Sequence, residues 1–323
     1  LRTTSTAHEP LARTFQSLAY SILKMNTGDT YYEPILLSGP EQENFIEQLL
    51  QGDVIDGYRQ WPTDLQDGED KKGNPLLTQG FIRELRDLIM RANERGITPA
   101  QLAERGQQVG EKYWAPAADF WSRYKEIMAI REDAAGDAKM RIDPSELISI
   151  TIAYLKSKET LRAQLQARFK TIMVDEFQES DPAQRALLEL ICGNDLVIAY
   201  DGDSAVGRFR GADPDGLKNE VDKYLAKGAQ AITLTNSYRS RPEIFEIAQS
   251  VTSQFRAPSV TRQRTCTYLE KPALDNAFNL ARLRSQSEEA QYIAYHFKRA
   301  NLMHGIPYSQ MAVILRSAGT QAS

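Results

Sequence analysis

The rhythm of apolar and polar positions along this chain changes about half-way. From Phe15 to Asn26, and again from Glu41 to Gln51, apolar residues return every three to four positions, which predicts amphipathic helices. Ser38 stands before the second run as a candidate cap. Gly52 to Pro75 has little periodicity and carries Asp64, Asp67, Glu69 and Asp70 beside Lys71 and Lys72, the make-up of a solvated excursion. Helical spacing returns over Thr78 to Glu94, starts afresh at Thr98-Pro99 and resumes over Ala115 to Asp133. Asp143-Pro144-Ser145-Glu146 joins an N-cap type, a proline and an acid in the order of a helix start. The stretch from about Glu41 to Arg141 therefore reads as an all-helical block.

After it, short apolar runs alternate with helical stretches. Thr171-Ile-Met-Val174 ends abruptly in Asp175-Glu176, and Asp181-Pro182 opens a helix over Ala183 to Ile191 that Gly193 closes. Leu196-Val-Ile-Ala-Tyr200 follows and ends in Asp201. Strand, helix and strand with short links predict a βαβ unit with parallel strands. Ala231 to Leu234 reads as a third strand, and Ser240-Arg241-Pro242-Glu243 as a capping box opening a helix to about Ser253. Asn279 to Leu283, a helix from Glu288 to Met303 ended by Gly305, and Met311 to Leu315 repeat the alternation. The fold class expected is α/β, with a parallel sheet and an inserted helical subdomain.

Composition narrows the function. A chain of 323 residues suits about two domains. Thirty-nine Lys+Arg against 43 Asp+Glu leave a net charge of −4, which excludes a uniformly basic nucleic-acid coat but leaves room for a local basic groove. Two cysteines, Cys192 and Cys266, make neither a disulfide framework nor a zinc knuckle, as in a reducing interior. His8, His296 and His304 have no metal-ligand spacing. No apolar run approaches the roughly 20 residues of a membrane span, and no signal peptide opens the chain, so the reading is soluble, cytoplasmic and without a membrane partner. The start at Leu1 and the bare stretch Ser317 to Ser323 read as cuts from something longer.

Ligands of open parallel sheets sit beyond the carboxyl ends of the strands. Asp175, Glu176 and Asp201 fall at such ends. One carboxylate there suits a hydrated Mg²⁺ bridging nucleotide phosphates, and a second suits activation of an attacking water. Alone, an Asp-Glu pair after a strand is equally ordinary loop chemistry.

Several ordered strings go further. Val174-Asp-Glu-Phe-Gln-Glu-Ser180, continuing to Asp181-Pro-Ala-Gln184, resembles the Walker B motif and following helix of the UvrD/PcrA/Rep-like helicases of superfamily one. Asp201-Gly-Asp-Ser-Ala-Val-Gly-Arg-Phe-Arg-Gly-Ala212 resembles their third motif, and Leu234-Thr-Asn-Ser-Tyr-Arg-Ser240 their fourth. Arg13-Thr-Phe-Gln-Ser-Leu-Ala19 resembles the segment that precedes the family's inserted helical domain, and Met311-Ala-Val-Ile-Leu-Arg-Ser317 a strand of its second RecA-like lobe. Within the family, Arg208-Phe-Arg-Gly-Ala-Asp213 and Ser38-Gly-Pro-Glu-Gln42 are similar to actinobacterial helicase–nuclease subunits of the AdnA type.

The resemblance implies a RecA-like first lobe over residues 1–40 and 141–228, an inserted helical subdomain over 41–140, and the start of a second RecA-like lobe over 229–323. It implies ATP and Mg²⁺ as cofactors, single- and double-stranded DNA as partners and, beyond DNA, a second helicase–nuclease subunit. Asp175 would hold Mg²⁺, Glu176 would activate water, and Gln178 would sense the γ-phosphate. Arg239 would serve as an arginine finger and Tyr238 would stack on adenine; a solvated loop before a helix is the plainer account of that pair. Phe209 would stack on a base and Arg210 would meet the backbone of single-stranded DNA, unless Phe209 is a core aromatic. Thr14 and Gln16 would touch DNA phosphates.

Departures from the family pattern bear on mechanism. Tyr200 stands at the glycine position of the third motif and Ser204 at its glutamine position, so coupling of nucleotide to DNA through that glutamine is missing. Gly207 stands where an aromatic stacker is common, and Gln16 replaces a usual histidine. No Gly-x-x-x-x-Gly-Lys-Ser/Thr string occurs, so no lysine-bearing loop of backbone amides is present to cradle phosphates. The expectation is a fragment of an ATP-dependent 3′-to-5′ DNA helicase or translocase of repair or recombination, inactive in ATP hydrolysis by itself. The alternatives are a non-catalytic DNA-binding or scaffold subunit with a decayed motor, and a motor serving an attached nuclease.

Overall fold

Local caps set most helix boundaries in the computed structural model. It describes residues 12–25, 33–58, 60–66, 74–135, 139–193, 195–207, 212–213, 215–234, 236–238, 240–254, 267–268 and 278–315. The chain divides into two compact units, Leu1–Ala231 with Ala257–Arg262, and Ile232–Arg256 with Gln263–Ser323.

In the first unit, α1 (Phe15–Lys24) starts where the Thr14 hydroxyl accepts the Ser17 N–H. β1 (Glu33–Leu36) leads to Ser38, whose side chain makes a full capping box with Glu41 at the head of α2 (Gly39–Ile55). A short α3 (Thr63–Gln66) precedes α4 (Gln79–Glu94), capped by Thr78. A second capping box, Thr98 with Gln101, opens α5 (Pro99–Val109), and left-handed Gly110 closes it. The long α6 (Trp114–Ala135) completes the helical block. α2, α4, α5 and α6 share a core in which Leu50, Ile82, Phe120 and Trp121 are fully or almost fully buried. Each aliphatic side chain so buried contributes about 1.5–3 kcal/mol. Arg123 adds a polar tie between α6 and α2: it forks onto both oxygens of buried Asp53 at 2.7 and 2.9 Å and lies 4.3 Å from the Tyr58 ring centroid.

The structure corrects the reading of Gly52 to Pro75 as a solvated excursion over its described residues; 67–73, with Asp67, Glu69, Asp70, Lys71 and Lys72, lie outside them. α2 continues to Ile55, and Trp61 is buried edge-on against Phe81 at 5.1 Å between ring centroids. One large aromatic suffices to draw this part of the stretch onto the core, because its buried area is large.

Beyond the block, β2 (Lys139–Ile142) pairs in parallel with β1, Leu36 opposite Ile142, so the two strands flanking the helices lie side by side. Asp143-Pro144-Ser145-Glu146 is a turn and not the cap read from the sequence. The Asp143 carboxylate accepts the Ser145 N–H and hydroxyl, and α7 (Leu147–Ser157) begins later without a side-chain cap. The Ser145 hydroxyl also accepts from the Asn93 side chain, tying the end of α4 to this turn. α8 (Glu159–Arg168), β3 (Thr171–Val174), α9 (Pro182–Ile191) and β4 (Asp195–Ile198) follow, with β3 and β4 parallel as predicted. α1, α7, α8 and α9 close around Ile22, Leu147, Leu155 and Leu187. α10 (Leu217–Ala226) sets Leu217 against Val174 and Phe177.

The second unit holds a short parallel pair, β5 (Asn236–Ser237) and β6 (Thr267–Tyr268), with α11 (Pro242–Thr252) and α12 (Gln286–His304). Neither helix has a buried residue. Three predicted strands, Ala231 to Leu234, Asn279 to Leu283 and Met311 to Leu315, are not strands. A strand needs a neighbour for its backbone groups, and these runs have no ladder partner among the described residues; Leu280 is 88% and Ile314 96% exposed. Ser240 does not cap α11 either: Arg241 is the N-cap, and its side chain makes no capping bond. The described fold is thus mostly helical α/β with parallel strand pairs, and no described helix is long and apolar enough to cross a membrane.

Candidate functional site

The carboxyl ends of β3 and β4 carry the acids. Beyond the strands the ladder continues through Ala199 N–H to Val174 O at 2.8 Å and Phe177 N–H to Ala199 O at 3.0 Å. Between those two bonds the chain must turn tightly, and Glu176 does so in the left-handed region at φ 51°, ψ 40°. It is the only non-glycine residue with positive φ among those described. Such a backbone costs about 1–3 kcal/mol and persists where its surroundings hold it. Here the holders are the flanking ladder bonds and the Asp175 carboxylate, which accepts the Glu176 N–H at 3.0 Å. Asp175 and Glu176 are both exposed, so the turn presents two adjacent carboxylates to solvent.

Gln178 lies just behind them and is completely buried. Its amide nitrogen donates to Glu176 Oε2, and its amide oxygen accepts the Asp201 N–H at 3.0 Å. One side chain therefore fixes the Glu176 carboxylate and the start of the next loop together. Asp201 in turn accepts the Ser204 hydroxyl through Oδ2 at 2.6 Å. Further along, Glu179 accepts the Val206 N–H at 2.7 Å, and Arg185 donates to the Asp213 carbonyl at 2.9 Å. Burial moves two nearby groups. It lowers the Arg185 pKa, and with Tyr200 it raises the phenol's, helped there by the Asp222 charge.

The oxygen donors fit the metal that the sequence suggests. Mg²⁺ takes hard oxygen ligands, holding one or two carboxylates while substrate phosphates and water fill the rest. Exposed Asp175 at the end of β3 offers such a carboxylate, whereas no group of three or more His, Cys, Asp or Glu able to hold a metal by itself occurs among the described residues.

Other sequence-predicted residues stand as follows. Thr14 spends its hydroxyl on capping α1, and Gln16 is exposed on the first turn of that helix. Tyr238 is exposed in the second unit. Phe209, Arg210 and Arg239 lie outside the described residues. The sequence pattern does not single out Glu179 or Arg185. The trace of Arg185 is its i, i+4 spacing from Asp181, which sets two opposite charges near one another at the start of α9.

Comparison with known proteins decides the family. The profile of the UvrD/REP helicase N-terminal domain matches residues 2–224. The chain belongs to the UvrD/REP helicase family. It is 25% identical over 202 residues to the ATP-dependent DNA helicase UvrD2 of Mycobacterium tuberculosis (strain ATCC 25618 / H37Rv), covering 62% of this chain and 28% of that one. DNA helicase II of Escherichia coli (strain K12) is 23% identical over 242 residues, 74% of this chain and 29% of the relative. An ATP-dependent helicase/nuclease subunit of Limosilactobacillus fermentum (strain NBRC 3956 / LMG 18251) is 33% identical over 99 residues, 29% and 7% of the two chains. The chain thus spans under a third of the length of these relatives. The family match includes the acid turn, the loop from Asp201 to Asp213 and the whole helical block.

Proposed function

We propose that the protein to which this chain belongs is an ATP-dependent 3′-to-5′ DNA helicase or translocase acting in repair or recombination. The observation that carries the proposal is the acid turn: Glu176 is held in a left-handed backbone with its carboxylate tied to buried Gln178, which also holds Asp201. An exposed, pre-positioned carboxylate at the end of a parallel strand suits a general base for water attacking a terminal phosphate. Bound Mg²⁺ would offset the negative charge of the phosphates. Asp175 is the residue proposed to hold it.

In this reading Gln178 links the base to the loop that begins at Asp201. Arg239 supplies a guanidinium to the transferring phosphoryl group and Tyr238 stacks on the adenine. Phe209 and Arg210 meet single-stranded DNA, where stacking on an aromatic ring is worth roughly 1–3 kcal/mol per base regardless of sequence. Thr14 and Gln16 approach DNA phosphates at the start of α1. Residues 1–40 and 141–228 belong to a first RecA-like lobe, 41–140 to a subdomain inserted in it, and 229–323 to a second lobe.

The test is ATP hydrolysis and strand displacement by the full-length gene product on 3′-tailed and 5′-tailed duplexes. Hydrolysis stimulated by single-stranded DNA, with unwinding of the 3′-tailed duplex only, is expected; unwinding from the 5′ tail alone reverses the polarity. The 323-residue chain by itself is expected to show no DNA-stimulated turnover, having no Gly-x-x-x-x-Gly-Lys-Ser/Thr string. A second reading, a DNA-binding subunit with a decayed motor, draws on Ser204, whose hydroxyl is bonded to Asp201 where the family has a glutamine. Full-length protein that binds DNA without hydrolysing ATP would favour it.

A further inference from the structure

Glu179 and Arg185 have no part in the reaction proposed above, yet both fasten the loop from Asp201 to Asp213 to the acid turn. Glu179 Oε1 accepts the Val206 N–H at 2.7 Å. Its other oxygen occupies the space that a side chain at 207 would need: a Cβ on Gly207 would overlap Glu179 Oε2 and lie 3.1 Å from Cδ. Gly207 is buried and its φ is not positive, so a Cβ there would press on the end of the Glu179 side chain and not on the backbone. Moving that carboxylate is the route by which a side chain at 207 bears on the Val206 bond.

Arg185 holds the far end. It is 4% exposed, and a buried guanidinium is costly unless its N–H groups are met. Nε donates to Ser180 Oγ at 3.0 Å, and Nη2 donates to Ser180 O at 3.0 Å and Asp213 O at 2.9 Å. The nearest carboxylate oxygen, on Asp213, is 3.9 Å away. Its direct bonds therefore join two stretches of backbone, one just after the acid turn and one at the end of the loop. With the Gln178 bond to Asp201, the loop is pinned at 201, 206 and 213. In sequence, Phe209 and Arg210 fall between the second and third pins.

We propose that Glu179 and Arg185 are positioning residues that make the acid turn shift as one body with residues 201–207 and 212–213. They supply the link between nucleotide and DNA in a chain that has Ser204 at the glutamine position of the third motif. The proposal rests on the helicase reading and deepens it.

The experiment uses the full-length protein with Glu179→Ala, Glu179→Gln, Gly207→Ala and the Ala/Ala double variant. It measures ATP turnover with and without single-stranded DNA, and hydrogen exchange at the Val206 amide. Glu179→Ala is expected to leave DNA-free turnover within about twofold while the stimulation by DNA falls about tenfold, a size usual for coupling between sites. Val206 exchange should rise by about tenfold or more as its amide opens locally. Glu179→Gln, which keeps an acceptor oxygen, should retain most of both. Gly207→Ala should reproduce Glu179→Ala and add little to it, because both release the same bond. Turnover with and without DNA falling by one common factor, or fully additive effects at 179 and 207, would overturn the proposal. Absence of DNA-stimulated turnover in the unaltered protein would sink the helicase reading. Unchanged Val206 exchange in Glu179→Ala, with stimulation intact, would sink only the clamp.

Discussion

α2 and α12 begin in the same way and end up in different surroundings. Each starts on a serine N-cap whose hydroxyl accepts the N–H three residues on, Ser38 with Glu41 and Ser285 with Glu288. α2 then buries Phe45, Ile46 and Leu50 in a shared core, whereas α12 buries nothing and leaves Tyr295, Leu302 and Met303 exposed. The same holds for the units that contain them. The first has three apolar clusters, and the second has no buried residue among those described. The caps of α2 and α12 draw on residues within one turn, while burial needs a partner surface. Helix formation and core formation are therefore separate achievements in this chain.

The largest expected effect lies in the core of the helical block. Trp121→Ala or Phe120→Ala should cost about 3–5 kcal/mol, whereas Leu302→Ala in α12 should stay within about 0.5 kcal/mol. In thermal unfolding the first two should lower Tm by roughly 10 °C or more, at about 2–4 °C per kcal/mol for a unit of this size. A Leu302→Ala loss as large as that of Trp121→Ala would break the comparison.

Next comes pH. Glu94 ends α4 with Oε2 buried and unpartnered, and burial, with the Asp181 charge adding to it, pushes its pKa up to about 7. Burial likewise raises Asp181 to about 6. Both bind protons more tightly folded than unfolded, so their contribution is fully present below about pH 4 and is lost as pH rises through 6 to 7. Glu94→Gln should raise Tm by roughly 4 °C at pH 8 and hardly at all at pH 4. A gain at pH 4 equal to that at pH 8 would show that burial does not shift this carboxyl.

The caps give the smallest contrast. Ser38→Ala should cost about 1 kcal/mol, and Ser240→Ala only a few tenths, because α11 starts on Arg241 without a side-chain cap. Equal costs would mean that Ser240 does cap its helix.

Much of this was legible before any coordinates. Ser38, Thr78, Thr98 and Asp181 announce their helices because the chemistry of a cap lies within four residues. β3 and β4 announce themselves as apolar runs cut off by acids. β1 and β2 do not: Pro34 interrupts one and Lys139 and Arg141 the other, so their pairing comes from position and not from pattern. Ala231–Leu234 and Met311–Leu315 differ in the opposite sense, being apolar enough for strands but without a ladder partner among the described residues. At the site, the carboxylates of Asp175, Glu176 and Asp201 were readable from their place after the strands. The left-handed Glu176 and the buried Arg185 were not, since a backbone angle and the burial of a charge both depend on what packs around them.

The role proposed for the Glu176 carboxylate, fixed by its turn, is activation of water for ATP hydrolysis. Its most direct test is the DNA-stimulated turnover of full-length protein carrying Glu176→Gln, with nucleotide binding followed in parallel. A loss of about 10²–10⁴-fold in kcat with ATP still bound is the predicted result, the range for removal of a general base. Turnover close to that of the unaltered protein would contradict it.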